Sequence, residues 1–92
     1  MNYELELTDD ADADIKKHKK SGDKIILRKI DKLFDELRNN PTEGTGKPEI
    51  LKHYKIPTWS RRINDKHRLI YRIESEKVIV LVLSLWGHYN DK

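Results

Sequence analysis

Residues 78–83 read Val-Ile-Val-Leu-Val-Leu, the longest unbroken apolar run in the chain. A strand with this sequence has no polar face to give to water, so it belongs inside a sheet and covered on both sides. In a chain of 92 residues such a sheet leaves room for only a few helices, and the expectation is one domain spanning residues 1–92. The same run is far too short to cross a bilayer, which takes about 20 apolar residues, so no membrane association is expected. Charged side chains make up 38% of the chain and apolar ones 36%, a balance that would suit disorder if the apolar residues were scattered rather than patterned. The absence of cysteine excludes disulfides, thiolate zinc sites and cysteine nucleophiles. The opening Met-Asn-Tyr-Glu-Leu-Glu lacks the basic start and apolar segment of a secretory signal, and the expected location is the cytoplasm.

The remaining elements follow from periodicity. Tyr3, Leu5 and Leu7 alternate with Asn2, Glu4 and Glu6, as in a strand with one buried face. Thr8 can cap a helix with Asp9, Asp10 and Asp12 in its first turn, Lys16, Lys17, Lys19 and Lys20 near its end, and Gly22 at its stop. That order suits the helix dipole. A second helix over residues 23–39 lines up Ile26, Ile30, Leu33 and Leu37, widened by Leu27 and Phe34, with Pro41 beyond its end. Residues 42–57, broken by Gly44, Gly46, Pro48 and Pro57, read as a loop holding at most one turn of strand or helix. Three further strands, at 58–64, 67–73 and 77–86, are joined by short polar turns and so form an antiparallel meander. The order β-α-α-β-β-β predicts an α+β domain, an antiparallel sheet packed against two N-terminal helices.

Charge is divided unevenly along the chain. Residues 1–43 carry nine basic and eleven acidic side chains, whereas residues 44–92 carry ten basic and five acidic. Between positions 47 and 72, Lys47, Lys52, Lys55, Arg61, Arg62, Lys66, Arg68 and Arg72 meet only Glu49 and Asp65. Half of these cations are arginines interleaved with Tyr54, Trp59 and Tyr71. Such a composition either forms a solvated basic face or grips phosphate and stacks on unpaired bases; arginine with aromatic groups tips the balance toward nucleic acid.

Few residues can carry chemistry. His18, His53, His67 and His88 fall in different elements without the spacing of a zinc helix, so no metal site is expected. Gly44-Thr45-Gly46-Lys47 lacks the flanking strand and helix of a phosphate cradle, and no cofactor is expected. Glu49, set among Lys47, Lys52 and Lys55, is either a proton acceptor or merely a neutraliser of lysines. Arg62 and Arg68 share one sheet face if the turn at Asn64-Asp65-Lys66 has a suitable length. They then either hold an anion between them or stand solvated. His88 follows Trp86-Gly87 after the apolar strand, and an odd-numbered turn at Glu74-Ser75-Glu76 would bring the even positions from 82 to 88 onto the face of Arg68.

Residues 44–53 read G-x-G-K-P-E-x-L-K-H, residues 59–71 read W-S-R-R-I-x-x-x-H-R-L-x-Y, and residues 87–89 are Gly-His-Tyr. In this order, and over nearly the whole chain, they resemble the YoeB (Txe) toxins of the RelE superfamily. The resemblance implies a compact RelE-like microbial ribonuclease fold and a metal-independent endoribonuclease that cleaves mRNA on the ribosome and inhibits translation. By motif position it implies Glu49 as general base, Arg68 as the phosphate-stabilising arginine, His88 as general acid and Tyr89 beside the scissile site. Lys47, Lys52, Arg61 and Arg62 would bind RNA. The implied partner is an acidic antitoxin of the YefM type, with DNA contacted only through that complex; a homodimer is left open. Two features depart from the family pattern: Asn90-Asp91-Lys92 follow the tyrosine, and Leu85-Trp86-Gly87 make a less polar approach to His88. The competing reading is a non-catalytic RNA- or ribosome-binding module on the same basic face, which would gain nothing from a carboxylate at position 49.

Overall fold

A computed structural model of the protein describes residues 2–87. Along the chain lie β1 (Glu4–Leu7), α1 (Asp9–Ser21), α2 (Lys24–Asn39), β2 (Glu49–Ile50), β3 (Trp59–Arg62), β4 (Arg68–Glu74) and β5 (Ile79–Ser84). Thr8 caps α1 as its sequence position predicts: its hydroxyl oxygen accepts from Ala11 N–H at 3.0 Å. The same hydroxyl donates to the Leu83 carbonyl at 2.9 Å, so the cap also ties the helix to the sheet. The helix stops at Gly22, and Asp23 at once opens α2 by accepting from Ile25 and Ile26 N–H at 3.0 and 3.1 Å. Helix α2 buries Ile26, Ile30, Leu33 and Leu37, the predicted stripe, whereas α1 buries only Ala11 and His18.

The strands form one sheet in the order β1-β5-β4-β3-β2. The apolar β5 lies inside it, between β1 and β4, as its sequence requires. Its first apolar residue, Val78, is taken by the turn, with φ of 56° and its N–H on the Ser75 carbonyl. The sheet is mixed, not purely antiparallel: β2 to β5 pair antiparallel as expected, but β1 runs parallel to β5, with Leu5 opposite Val80. That pair joins the first and last strands, so no connecting turn exists from which its direction could be read. Glu49 and Ile50, inside the segment that reads as loop, add the short edge strand β2 on β3.

Leu33, Leu37, Leu69, Tyr71, Val80, Val82 and Leu85 are fully buried between the helices and the sheet. Each large aliphatic side chain there is worth about 1.5–3 kcal/mol relative to exposure. Strand alternation sends Glu49, Ser60, Arg62, Arg68, Ile70, Arg72 and Leu81 to the opposite face, away from α2. None of the helices in the described residues is long and apolar enough to cross a membrane.

Candidate active site

The pairing register assembles the site on the face away from the helices. Arg62 lies directly opposite Arg68, so the two arginines share that face as their parity predicts. Glu49 on β2 lies opposite Ser60, two residues along β3 from Arg62, and joins them there. Arg68 is half-buried, and its guanidinium donates from Nη1 to the Asn64 carbonyl at 2.7 Å and the His67 carbonyl at 3.2 Å, folded onto its own turn. Glu49, Lys47, Lys52 and Arg62 are exposed. Beside Arg68 a shallow cleft of about 280 Å³ is lined by Asp10, Tyr54, Ile70, Leu83, Ser84, Trp86 and Gly87.

The parity of the last strand follows a different route from the one expected. Arg72 pairs with Leu81, so the turn before β5 first brings odd positions onto the arginine face. A bulge then leaves Leu83 as an extra residue between the pairs Tyr71–Val82 and Ile70–Ser84, so that Ser84, an even position, ends the strand on the arginine face. The Arg68 N–H donates to the Gly87 carbonyl at 2.9 Å, which brings the end of the described chain to the site. His88 and Tyr89, the expected acid and its neighbour, lie outside the described residues.

Arg61 corrects the expectation that it binds RNA. It is fully buried on the helix side of the sheet, and all five of its N–H donors are engaged. Nε donates to the Tyr71 hydroxyl at 3.2 Å; Nη1 donates to Glu36 Oε1 at 2.8 Å and the Thr45 carbonyl at 3.3 Å. Nη2 donates to the carbonyls of Asn40 at 3.0 Å and Glu43 at 2.7 Å. Nothing is left for a phosphate. Instead the side chain organises the loop that leads into β2, because Glu36 in turn accepts from the Thr45 N–H and hydroxyl, both at 2.7 Å. Burial alone would raise the Glu36 pKa, but the Thr45 hydrogen bonds and the charges of Arg61 and Lys32 outweigh it and hold the carboxyl below its ordinary value. Burial raises the Tyr71 pKa, opposed in part by Arg61. The Tyr71 hydroxyl donates to the Pro41 carbonyl at 2.6 Å.

This network explains the G-x-G-K-P-E spacing. Gly46 sits at φ of 85°, its carbonyl accepts from Arg62 N–H at 2.7 Å, and a Cβ there would lie 2.7 Å from the Arg62 carbonyl oxygen. Only glycine allows the loop to press on β3, and that contact delivers Lys47 and Glu49 to the edge of the sheet. Two of the three aromatic residues expected to stack on bases are also withdrawn: Tyr71 is buried, and Trp59, stacked on it at 6.4 Å, lies on the helix side. Tyr54 is exposed and lines the cleft beside the arginines. Asp14 and His18 contribute in a way the sequence reading missed. They occupy i and i+4 on the inner face of α1 and bond to Leu85, and the signal for them was two polar residues in the row of buried Ala11.

The family described as YoeB-like toxin of bacterial type II toxin-antitoxin system matches residues 7–89. The chain belongs to the YoeB toxin family. It is 45% identical over 58 residues to Toxin YoeB of Escherichia coli K12, covering 63% of this chain and 69% of that one. It is 42% identical over 67 residues to Toxin YoeB of Synechocystis, covering 73% and 76%. Its fold superposes on the YoeB/ParE toxin from Agrobacterium tumefaciens with a TM-score of 0.86 at 31% identity, over 94% of this chain and 99% of that one. The YoeB dimer from Staphylococcus aureus gives a TM-score of 0.79 at 33% identity, over 97% and 100%. YoeB membership makes this protein a toxin of a type II toxin-antitoxin system, with the α+β fold that the Agrobacterium toxin shares.

Proposed function

We propose that this YoeB toxin is an endoribonuclease that cleaves mRNA on the ribosome by acid-base chemistry borne by its own side chains. The observation that carries the reading is the register that gathers Glu49, Arg62 and Arg68 on one face, with Gly87 hydrogen-bonded to Arg68. In the proposed reaction Glu49 takes the 2′-hydroxyl proton as the 2′-oxygen bonds to phosphorus. Arg68, with Lys52 and Arg62, stabilises the charge of the phosphorane. His88 gives its proton to the departing 5′-oxygen as the P–O5′ bond breaks, with Tyr89 beside it. The products are a 2′,3′-cyclic phosphate and a 5′-hydroxyl, and no metal takes part. Lys47 contributes a further phosphate contact. The exposed cations need masking in a growing cell, and an acidic YefM-type antitoxin, like the YefM in the Staphylococcus aureus YoeB-YefM complex, suits them.

The test uses ribosome-bound mRNA with an ordinary or a 5′-thio leaving group. Because ribosomes themselves need magnesium, the chelation arm uses naked RNA at high toxin concentration, where cleavage is expected to persist. His88→Gln is expected to slow the ordinary substrate roughly 10²-fold or more and to recover on the thio substrate, which needs no proton, whereas Glu49→Gln stays slow on both. Cleavage of naked RNA that is lost to a chelator and restored by magnesium would overturn the scheme. A Glu49→Gln protein that cleaves normally and binds RNA more tightly would point to a binding module.

A further inference from the structure

Once β5 ends at Ser84, the chain leaves the ladder, yet its backbone stays tied. Leu85 N–H donates to Asp14 Oδ2 at 2.8 Å, and its carbonyl is bonded to His18 Nε2 at 2.8 Å. Gly87 N–H donates to Nδ1 of His67 at 2.9 Å, and its carbonyl accepts from Arg68 N–H at 2.9 Å. The ring of Trp86 between them packs on both imidazoles, with centroids 4.7 Å from His18 and 4.4 Å from His67, and the imidazoles meet edge to face at 4.8 Å. Two residues of α1 and two of the β3–β4 turn region therefore grip a segment with no strand pairing of its own.

The chemistry of these bonds fixes the state of each ring. A carbonyl only accepts, so His18 carries its proton on Nε2; an amide only donates, so the Nδ1 of His67 is bare. The bond from Gly87 thus exists only while His67 is an acceptor at that nitrogen. Gly87 itself sits at φ of 78°, and a Cβ there would meet nothing within 4 Å, so no side-chain crowding fixes its position. Its two hydrogen bonds do that work, and the carbonyl they orient is one half of the planar peptide bond to residue 88.

We propose that His67 is a positioning residue of the active site, whose Nδ1 clamps Gly87 and thereby sets where the general acid at residue 88 enters. The proposal rests on the reading of His88 given above. Arg68 is served by the same turn, since its guanidinium bonds to the His67 carbonyl, so one short segment orients both the phosphate-stabilising group and the approach to the acid. A displacement of about 1 Å at a reacting group costs roughly 10²-fold in rate, which sets the effect to look for.

The experiment compares the wild-type toxin with His67→Leu, which removes the acceptor, and His67→Asn, whose Oδ1 can replace Nδ1. In wild type the Gly87 amide is expected to resist hydrogen exchange. In His67→Leu that protection should fall at least about tenfold while the Val80 and Val82 amides keep theirs, which also reports that the sheet has folded. Cleavage should lose roughly 10²-fold in kcat with KM nearly unchanged, and the 5′-thio substrate should restore most of the loss, because the defect acts through the acid. His67→Asn should recover both Gly87 protection and rate. An unprotected Gly87 amide in wild type, an unchanged kcat in His67→Leu, or equal impairment of the two variants would overturn the proposal. A His88→Gln protein that cleaves normally overturns the assignment of the acid and the catalytic consequence of the clamp, whereas the exchange of Gly87 still decides whether His67 holds it.

Discussion

Replacing Arg61 with alanine separates a structural arginine from an RNA-binding one by more than experimental error. The side chain is fully buried, and its five N–H donors serve one carboxylate, one phenol and three carbonyls. Removing one partner of a buried ion pair costs about 3–5 kcal/mol. The carbonyls add little to that, because Asn40 and Glu43 are exposed and water can replace the guanidinium there. Glu36 keeps its Thr45 bonds and a quarter of its surface, so the lower half of the range applies, about 3–4 kcal/mol. Domains of this size hold about 5–15 kcal/mol in all, so the variant loses a large share of its stability. Urea unfolding followed by far-ultraviolet circular dichroism should show a midpoint lower by at least about 1 M. A double-mutant cycle with Glu36→Ala should give a coupling of about 1 kcal/mol or more. An Arg61→Ala protein within about 0.5 kcal/mol of wild type, but weakened in RNA binding, would refute this assignment.

Gly46→Ala should destabilise by more than the roughly 1–2 kcal/mol that a left-handed alanine costs, since its methyl group would strike the Arg62 carbonyl. Gly22→Ala, at a similar φ with open space around it, should cost only that amount; equal losses in urea unfolding would mean the Gly46 contact is unimportant. Because the folded Glu36 carboxyl has a lowered pKa, the folded state binds fewer protons there than the unfolded chain. The stabilisation is therefore complete above the ordinary glutamate value of about 4.3 and lost as pH falls through the folded value. The urea midpoint should drop more steeply below that pH in wild type than in Glu36→Gln. Thr8→Ala should cost about 1 kcal/mol through its cap, and more once the Leu83 bond is counted; a loss below about 0.5 kcal/mol would show that the cap is idle.

What the sequence made legible was local. Both helices could be read because their caps and apolar stripes lie within a few turns, and the shared face of Arg62 and Arg68 could be read because one short turn sets their register. The same alternation holds the clue to Arg61, which must face away from Arg62, but the core there was not foreseen because its partners come from α2 and the loop beyond it. The direction of β1 and the bulge at Leu83 depend on pairs with no linking turn or on one residue that a ladder omits, and neither leaves a mark in hydrophobic periodicity. The family motifs point to Glu49 and Arg68, which the register sets on one sheet face, yet they count Arg61 among the RNA-binding cations because a motif does not say which way a side chain points.

The parallel pairing of β1 with β5 has a consequence for how the protein comes into being. A ribosome makes β1 first and β5 last, and Leu5 waits for Val80 as its partner. Until then the helices can form, but their apolar stripe has only the earlier strands to cover, with Leu69 and Tyr71 of β4, since β5 supplies the fully buried Val80 and Val82. Pairings so distant in sequence close slowly. The arginine face cannot be completed on a half-made chain either, because the residues that reach Arg68 follow β5. The face that gathers Glu49, Arg62 and Arg68 therefore acquires its last contact late, after strands β1 to β5 have all been made.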